Sequence, residues 1–346
     1  MAEKKRVFLT VIILSLVLLS SCTGKKTGTK EIADEKTEFA LNTVINICIY
    51  GETLTEDNWN ELFGIVREFD ENLDRFKPSS ELSEISKNAG VSAVKISEET
   101  HALLVWAKKC AIDTGGFFDP TIGALTELWN IGGEDFVPPA ESEIKEARKK
   151  VGYKALQVWE DAAQSPRAMY AELKKEGMVL DLGAIAKGRA ADLVANKLRE
   201  FGVRRAILDF GGNIYVLGTP VDEDAWIVGI RDPNNPEEII LKLTATDEAI
   251  VSSGTYERFS AYEDKTYHHI INPFTGKPAD TDVIAATVIH PISTYADAYV
   301  TSLIVMGKQR AIDFINKEKL TAVLFYKGGS YEIFCDDKDK ITEYKK

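Results

Sequence analysis

The sequence predicts an α+β fold, a mixed sheet with helices packed on it. Some segments repeat apolar residues at helical spacing and others read as short strands. The two kinds follow one another without the regular alternation that a doubly wound parallel sheet requires. The chain has 346 residues, 45% apolar and 28% charged, enough for a substantial core in one large domain or two closely joined ones. Its 24 Gly and 11 Pro are spread along the chain, which excludes a collagenous or low-complexity protein.

The first element is a targeting segment. Lys4, Lys5 and Arg6 precede an apolar run from Val7 to Leu19, short for a membrane span and of the right length for a secretory leader. The run ends in Leu19-Ser20-Ser21-Cys22, which resembles a bacterial lipobox. The expectation is a leader over residues 1–21 that is removed and a lipidated Cys22. A flexible tether over 22–37 and a folded domain over 38–346 would follow, held at the periplasmic face of the inner membrane. The alternative is an uncleaved anchor. Beyond Cys22, the sulfurs of Cys48, Cys110 and Cys335 lie in apolar surroundings without CxxC spacing, so neither a metal site nor a disulfide framework is expected.

Thr55 is placed to cap a helix in which Trp59, Leu62, Phe63, Val66, Phe69 and Leu73 share a face. A second helix begins near Ser97, carries Leu103, Leu104, Ala107 and Ala111, and ends at Gly115-Gly116. A third runs from about Ala186 to Glu200 and a fourth from about Tyr295 to Met306. Strands are expected over 42–50, 155–159, 178–182, 205–210, 226–231, 239–244, 284–290, 321–326 and 331–335. Between Ile131 and Ala163, a charged helix around 141–150 marks a peripheral insertion or a domain junction.

The net charge of −12 excludes a nonspecific nucleic-acid binder, which needs clustered Lys and Arg to neutralise phosphate. An acidic body that takes a phosphorylated ligand needs a metal ion or backbone amides to supply local positive charge. Asp181-Leu182-Gly183-Ala184-Ile185-Ala186-Lys187-Gly188-Arg189 leaves an apolar segment through small residues and enters a helix. Unpaired N–H groups there, with Lys187 in the first turn, suit a phosphate. An ordinary strand-to-helix turn with a surface lysine accounts for the pattern equally well.

Asp297 and Thr301, at i and i+4 of the fourth helix, pair a carboxylate with a hydroxyl, hard oxygens of the kind Mg²⁺ takes. A capping Asp and a Thr bonded back to its own helix are the plainer explanation. His268 and His269 stand just before the Asn272-Pro273-Phe274-Thr275-Gly276 turn. A neutral imidazole there would accept a proton near neutral pH; two histidines on opposite strand faces, one packed in the core, is the competing account. Gly115 to Gly123 and Asp209-Phe210-Gly211-Gly212-Asn213 are loop-like and rich in small residues. Ser252 to Glu257 lacks the GxSxG elbow of a serine hydrolase, and no GxGxxG or Walker A motif is present.

In this collinear order the segments resemble the ApbE family of FAD:protein FMN transferases. The matching pieces are Leu41-Asn42-Thr43, Phe76 with Ser83-Glu84-Ile85-Ser86, Phe118 to Gly123, Asp181 to Gly188, Gly211-Gly212-Asn213, Ser253 to Tyr256, His269 to Gly276 and Ala296-Asp297-Ala298. The resemblance implies an ApbE-type, T-fold-like fold. It also implies Mg²⁺-dependent splitting of FAD, with FMN passed to a Thr hydroxyl of a membrane or periplasmic redox protein and AMP released. Carried over by position, Mg²⁺ is held by the Ala184 carbonyl, Asp297 and Thr301. FAD is contacted around Leu41, Phe76, Phe117, Phe118, Asp119, Asp181, Lys187 and Ile271, and His269 is the base. The chain departs from the family pattern at Leu41-Asn42, where Met-Gly is common, and at Asn272, where Asp is common. A side chain at residue 42 beside the ligand opens a second reading, an FAD pyrophosphatase giving FMN and AMP; a non-catalytic flavin-binding lipoprotein is a third.

Overall fold

The computed structural model describes residues 32–164 and 166–344. The chain opens with the hairpin β1 (Ile32–Ala40) and β2 (Thr43–Tyr50), then α1 (Glu56–Leu73), α2 (Glu81–Lys87), β3 (Val94–Ile96) and α3 (Glu98–Asp113). Next come α4 (Gly123–Trp129), α5 (Glu141–Arg148), β4 (Leu156–Asp161), β5 (Ala168–Leu173) and α6 (Ala186–Glu200). The strands β6 (Ala206–Phe210), β7 (Asn213–Leu217), β8 (Trp226–Asp232), β9 (Asn235–Ala245) and β10 (Glu248–Gly254) follow. A small hairpin, β11 (Phe259–Tyr262) and β12 (Lys265–His268), leads to β13 (Val283–His290), α7 (Ser293–Met306) and α8 (Lys308–Glu318). The described chain closes with β14 (Thr321–Tyr326), β15 (Tyr331–Phe334) and β16 (Ile341–Glu343).

The frame is an eight-stranded sheet in the order β1-β2-β6-β7-β10-β13-β14-β15, with every neighbouring pair antiparallel. Both faces of its centre are buried, and the two-residue strand period divides side chains between them. Ile45, Ile47 and Ile49 of β2, Val251 of β10, Val288 of β13 and Leu324 of β14 join the large core with the helices. Their neighbours Cys48, Ile250, Ile289, Val323 and Phe325 point the other way, into a second core closed by Trp226, Ile230, Leu241 and Leu243 of the three-stranded sheet β16-β9-β8. The molecule is therefore layered, with helices, large sheet and small sheet in turn. Among the described residues no helix is long and apolar enough to cross a membrane.

Local signals explain most helix ends. Thr55 caps α1, its hydroxyl accepting from the Asn58 N–H at 3.2 Å, and Ser97 caps α3 in the same way through Thr100. Two expectations change. Residues 178–182 are extended but form no strand; a single bridge between Ile122 and Val179 and the Asp181 N–H to Pro120 carbonyl bond tie them to the neighbouring loop. The tether expected over 22–37 gives way at Ile32 to β1, which pairs with β2 along its length; its alternation of exposed and half-buried residues suits an edge strand with one solvated face. The rest of that tether, the leader over 1–21 and Cys22 lie outside the described residues. The segment from Ile131 to Ala163 is packed onto the body, because Ile144 and Ala147 of α5 form a satellite core with Leu125, Trp129 and Ile271 against the turn after His269.

Candidate active site at the α6–α7 crossing

The turn at 181–188 and the Asp297 carboxylate, 109 residues apart, meet. Gly188, in the first turn of α6, donates its N–H to Asp297 Oδ2 at 2.9 Å. In a regular helix start that N–H would bond the carbonyl of residue 184, and here it does not. A side chain at Gly188 could not be seated, because its Cβ would collide with the Ser293 carbonyl and lie 2.8 Å from Asp297 Cβ. Asp297 is 3% exposed, and burial raises its pKa, opposed by the charge of Lys187 and the Gly188 hydrogen bond. One turn along α7, the hydroxyl of half-buried Thr301 makes no hydrogen bond among the described residues, whereas that of its neighbour Ser302 bonds back to the Ala298 carbonyl at 2.8 Å. Carboxylate and hydroxyl, one turn apart on α7, are hard oxygens of the kind Mg²⁺ takes, and the Gly188 contact brings the carboxylate to the first turn of α6.

Lys187 supplies the local positive charge. Its ammonium acts on Asp209, Glu257, His269 and Asp297, which come from four separate segments. Burial raises the carboxyls of Asp209 and Glu257, and Lys187 offsets part of that rise in both. Asp209 also accepts from the Gly212 N–H at 3.2 Å. Asn213, fully buried, accepts from the Ser293 hydroxyl at 2.8 Å, and its side-chain NH₂ finds no partner among the described residues.

The two histidines divide as different chemical objects. His268 is locked, with Nε2 2.9 Å from the Ala279 carbonyl and Nδ1 accepting from the Ile270 N–H at 3.3 Å. His269 has only Nδ1 engaged, 3.2 Å from the Arg258 carbonyl. A carbonyl only accepts, so Nδ1 carries the proton and Nε2 presents its lone pair. Burial, joined by the charges of Arg258, His268 and Lys187, pushes the His269 pKa down to about 4, so the ring is neutral at physiological pH.

The turn that follows is held by Asn272, whose Oδ1 accepts from the Phe274 and Thr275 N–H groups at 2.8 and 3.3 Å. Asn therefore performs the turn-closing work of an Asp at this position. Trp129 Nε1 donates to the Gly276 carbonyl at 2.7 Å and fixes the turn to α4.

Around this centre the loops supply aromatic surface. Phe76 is 71% exposed with the Arg75 guanidinium 4.4 Å from its ring. Phe117 meets Phe274 edge-on at 4.9 Å, and Phe274 is itself largely exposed. Asp181 accepts from the Thr126 hydroxyl at 2.7 Å and the Gly183 N–H at 2.9 Å, so its carboxylate closes the turn it begins. Leu41 and Asn42 both have positive φ, 51° and 56°, which makes the β1–β2 connection a two-residue turn of the left-handed kind. Asn tolerates that backbone; Leu does so at a cost, and its N–H is held by Asp70 Oδ1 at 3.1 Å.

The ApbE family model matches residues 41–325. The chain belongs to the ApbE family. It is 33% identical over 314 residues to the FAD:protein FMN transferase of Treponema pallidum, an alignment covering 87% of this chain and 85% of the relative. It is 31% identical to an enzyme of the same name from Klebsiella pneumoniae, over 72% of this chain and 76% of the relative. The crystal structure of the ApbE protein from Thermotoga maritima superposes with a TM-score of 0.78 at 30% identity, covering 87% of this chain and 96% of that one. The flavin transferase ApbE of Vibrio cholerae, at 24% identity and a TM-score of 0.74, shares the fold.

Within this ApbE fold, three positions singled out in the sequence have side chains engaged inside the protein. Phe118 is buried in the main core and Ile271 in the satellite core with Leu125 and Trp129. Asp119 spends both oxygens inside its own wall, on Thr121 and on the Tyr153 N–H. What those positions offer a ligand is backbone and shape. Sequence reasoning missed Asp209, Asn213, Glu257 and Arg258 as site residues. Their signal was position, since all four lie in or beside the Gly-bearing segments 209–213 and 252–257.

Proposed function

We propose that this chain is a Mg²⁺-dependent FAD:protein FMN transferase that moves FMN from FAD to a Thr hydroxyl of an acceptor protein and releases AMP. The observation that carries the proposal is the Gly188–Asp297 contact, which brings a buried carboxylate to the first turn of α6 beside Lys187. Its curated relatives bear the name of that activity.

Asp297, Thr301 and the Ala184 carbonyl would hold the ion. Bound Mg²⁺ supplies charge neutralisation to the pyrophosphate and to the departing phosphate. The α6 N-terminus and Lys187 orient the same oxygens from the protein side. His269 Nε2 takes the proton of the acceptor hydroxyl as its oxygen bonds to the FMN phosphorus; the bond to the bridging oxygen breaks and AMP leaves with it. The His269 tautomer set by the Arg258 carbonyl is the one this step needs. Phe76, Phe117 and Phe274 offer faces and edges to flat rings. Asn42 keeps the left-handed turn a Gly would make, so the departure from Met-Gly changes the surface near the ligand and leaves the backbone path intact. Lipid attachment at Cys22, at the periplasmic face of the inner membrane, belongs to the same proposal.

Incubation of the protein with FAD, Mg²⁺ and a Thr-bearing acceptor tests it. The expected product is an acceptor heavier by one FMN less water, with AMP in equal amount. AMP release at the same rate with no acceptor modified would point to hydrolysis, and intact FAD after long incubation would point to a binding protein.

A further inference from the structure

Two carboxylates cross between α6 and α7, one in each direction. Asp297 of α7 accepts the Gly188 N–H of α6 at 2.9 Å. Asp192 of α6 accepts from the start of α7 three times: the Ser293 N–H at 2.8 Å, the Thr294 N–H at 2.9 Å and the Thr294 hydroxyl at 2.6 Å. Residue numbers rise along one helix as they fall along the other, so the two first turns pass each other antiparallel. Gly188 and Asp192 are four residues apart on one face, as are Ser293 and Asp297. The residue preceding α7, Ile292, has no side-chain oxygen, so the cap that α7 needs comes from its neighbour. The Ser293 hydroxyl is tied on its other side to Asn213 of β7. Asp192 belongs neither to the proposed ligand set nor to the residues around FAD.

We propose that Asp192 is a positioning residue for the divalent-metal site: by clamping the first turn of α7 to α6 it sets where Asp297 and Thr301 stand relative to the turn at Ala184. The inference rests on the metal site proposed above. Mg²⁺ demands near-ideal octahedral geometry, so a small slip of α7 along α6 costs affinity even with every ligand present. Asp192→Asn tests the clamp with little change of volume. It keeps one acceptor oxygen and turns the other into an NH₂ donor, which in either amide orientation faces a backbone N–H, of Ser293 or of Thr294, that can only donate.

Mn²⁺, a paramagnetic stand-in for Mg²⁺, is titrated into the protein and the free ion is followed by electron paramagnetic resonance. Wild type should bind and Asp297→Ala should not. Asp192→Asn should weaken Mn²⁺ binding by about 10- to 100-fold, the range typical of lost outer partners of metal ligands. Thr294→Val, which deletes one of the three donors, should weaken it by a few-fold and serves if Asp192→Asn folds poorly. Thr55→Ala, which removes the cap of the distant α1, should lower thermal stability and leave Mn²⁺ affinity as it was. Binding by Asp192→Asn and Thr294→Val within twofold of wild type, while Asp297→Ala has lost it, overturns the positioning role and leaves the metal site standing. No binding by wild type, or equal binding by Asp297→Ala, overturns the metal site and this inference with it.

Discussion

The two sides of the candidate site are built differently. On one side, α6 and α7 cross so closely that Gly188 has no room for a Cβ, and the Asp297 carboxylate is sealed between them. On the other, His269 follows the two-stranded hairpin β11–β12, a sheet of its own, among exposed Phe259 and Phe274. A phosphate and its counter-ion are the same in every turnover and reward a rigid, buried frame. An acceptor protein must enter and leave, which calls for a surface open to solvent. Under the proposed function, charge neutralisation would fall to the helix crossing and proton removal to the hairpin end.

If that division holds, damage on the two sides has different signatures. Asp297→Ala should have the largest effect, a loss of metal-dependent turnover of about 10³-fold or more, with FAD splitting and transfer lost together. Assays of AMP and of modified acceptor in parallel check it. Gly188→Ala should reach the same end through packing, since the methyl forces the helices apart. A destabilisation of about 1–3 kcal/mol by chemical denaturation should accompany a sharp fall in turnover.

His269→Ala should slow transfer by about 10²- to 10⁴-fold and leave FAD binding near wild type. Its pH behaviour sharpens the contrast. With a folded pKa of about 4 the ring stays neutral above roughly pH 5, so the rate of transfer should show no loss from this group until the pH approaches 4. The same shift has a stability consequence. The folded pKa lies below the unfolded value near 6.5, so as the pH falls the unfolded chain takes this proton first. The contribution is fully present above about pH 6.5 and is lost as the pH falls toward 4, which denaturant titrations of wild type and His269→Ala at several pH values would resolve. Phe76→Ala should be the mildest, with folding stability within about 0.5 kcal/mol because the ring is exposed. FAD affinity should fall about fivefold to tenfold or somewhat more if the ring stacks on the ligand.

Much of the frame was legible because its causes are local. Thr55 and Ser97 announce their helices by capping chemistry, and α6 runs from Ala186 to Glu200 as its periodicity indicates. What was not legible depends on partners distant in the chain. β1 carries Asp34, Glu35, Lys36 and Glu38 and reads as a solvated tether until β2 pairs with it. Residues 178–182 are apolar enough for a strand, but their neighbours on both sides are loops and helices that offer no ladder. At the site, Asp297, Thr301, Lys187 and His269 stood out by type and spacing. Asp209, Asn213 and Glu257 did not, because an acid or amide beside a Gly-bearing turn has an ordinary role until the fold sets it near Lys187. Asp119 and Asn272 show the reverse, polar residues whose main work is closing the loops that carry them.

The most direct test of the central claim is crystallographic. Crystals soaked with Mn²⁺ and FAD should show an anomalous peak roughly 2.0–2.3 Å from Asp297 and Thr301 side-chain oxygens, with the pyrophosphate against the first turn of α6. A peak elsewhere, or FAD bound with its pyrophosphate remote from Gly188 and no ion at Asp297, would contradict it.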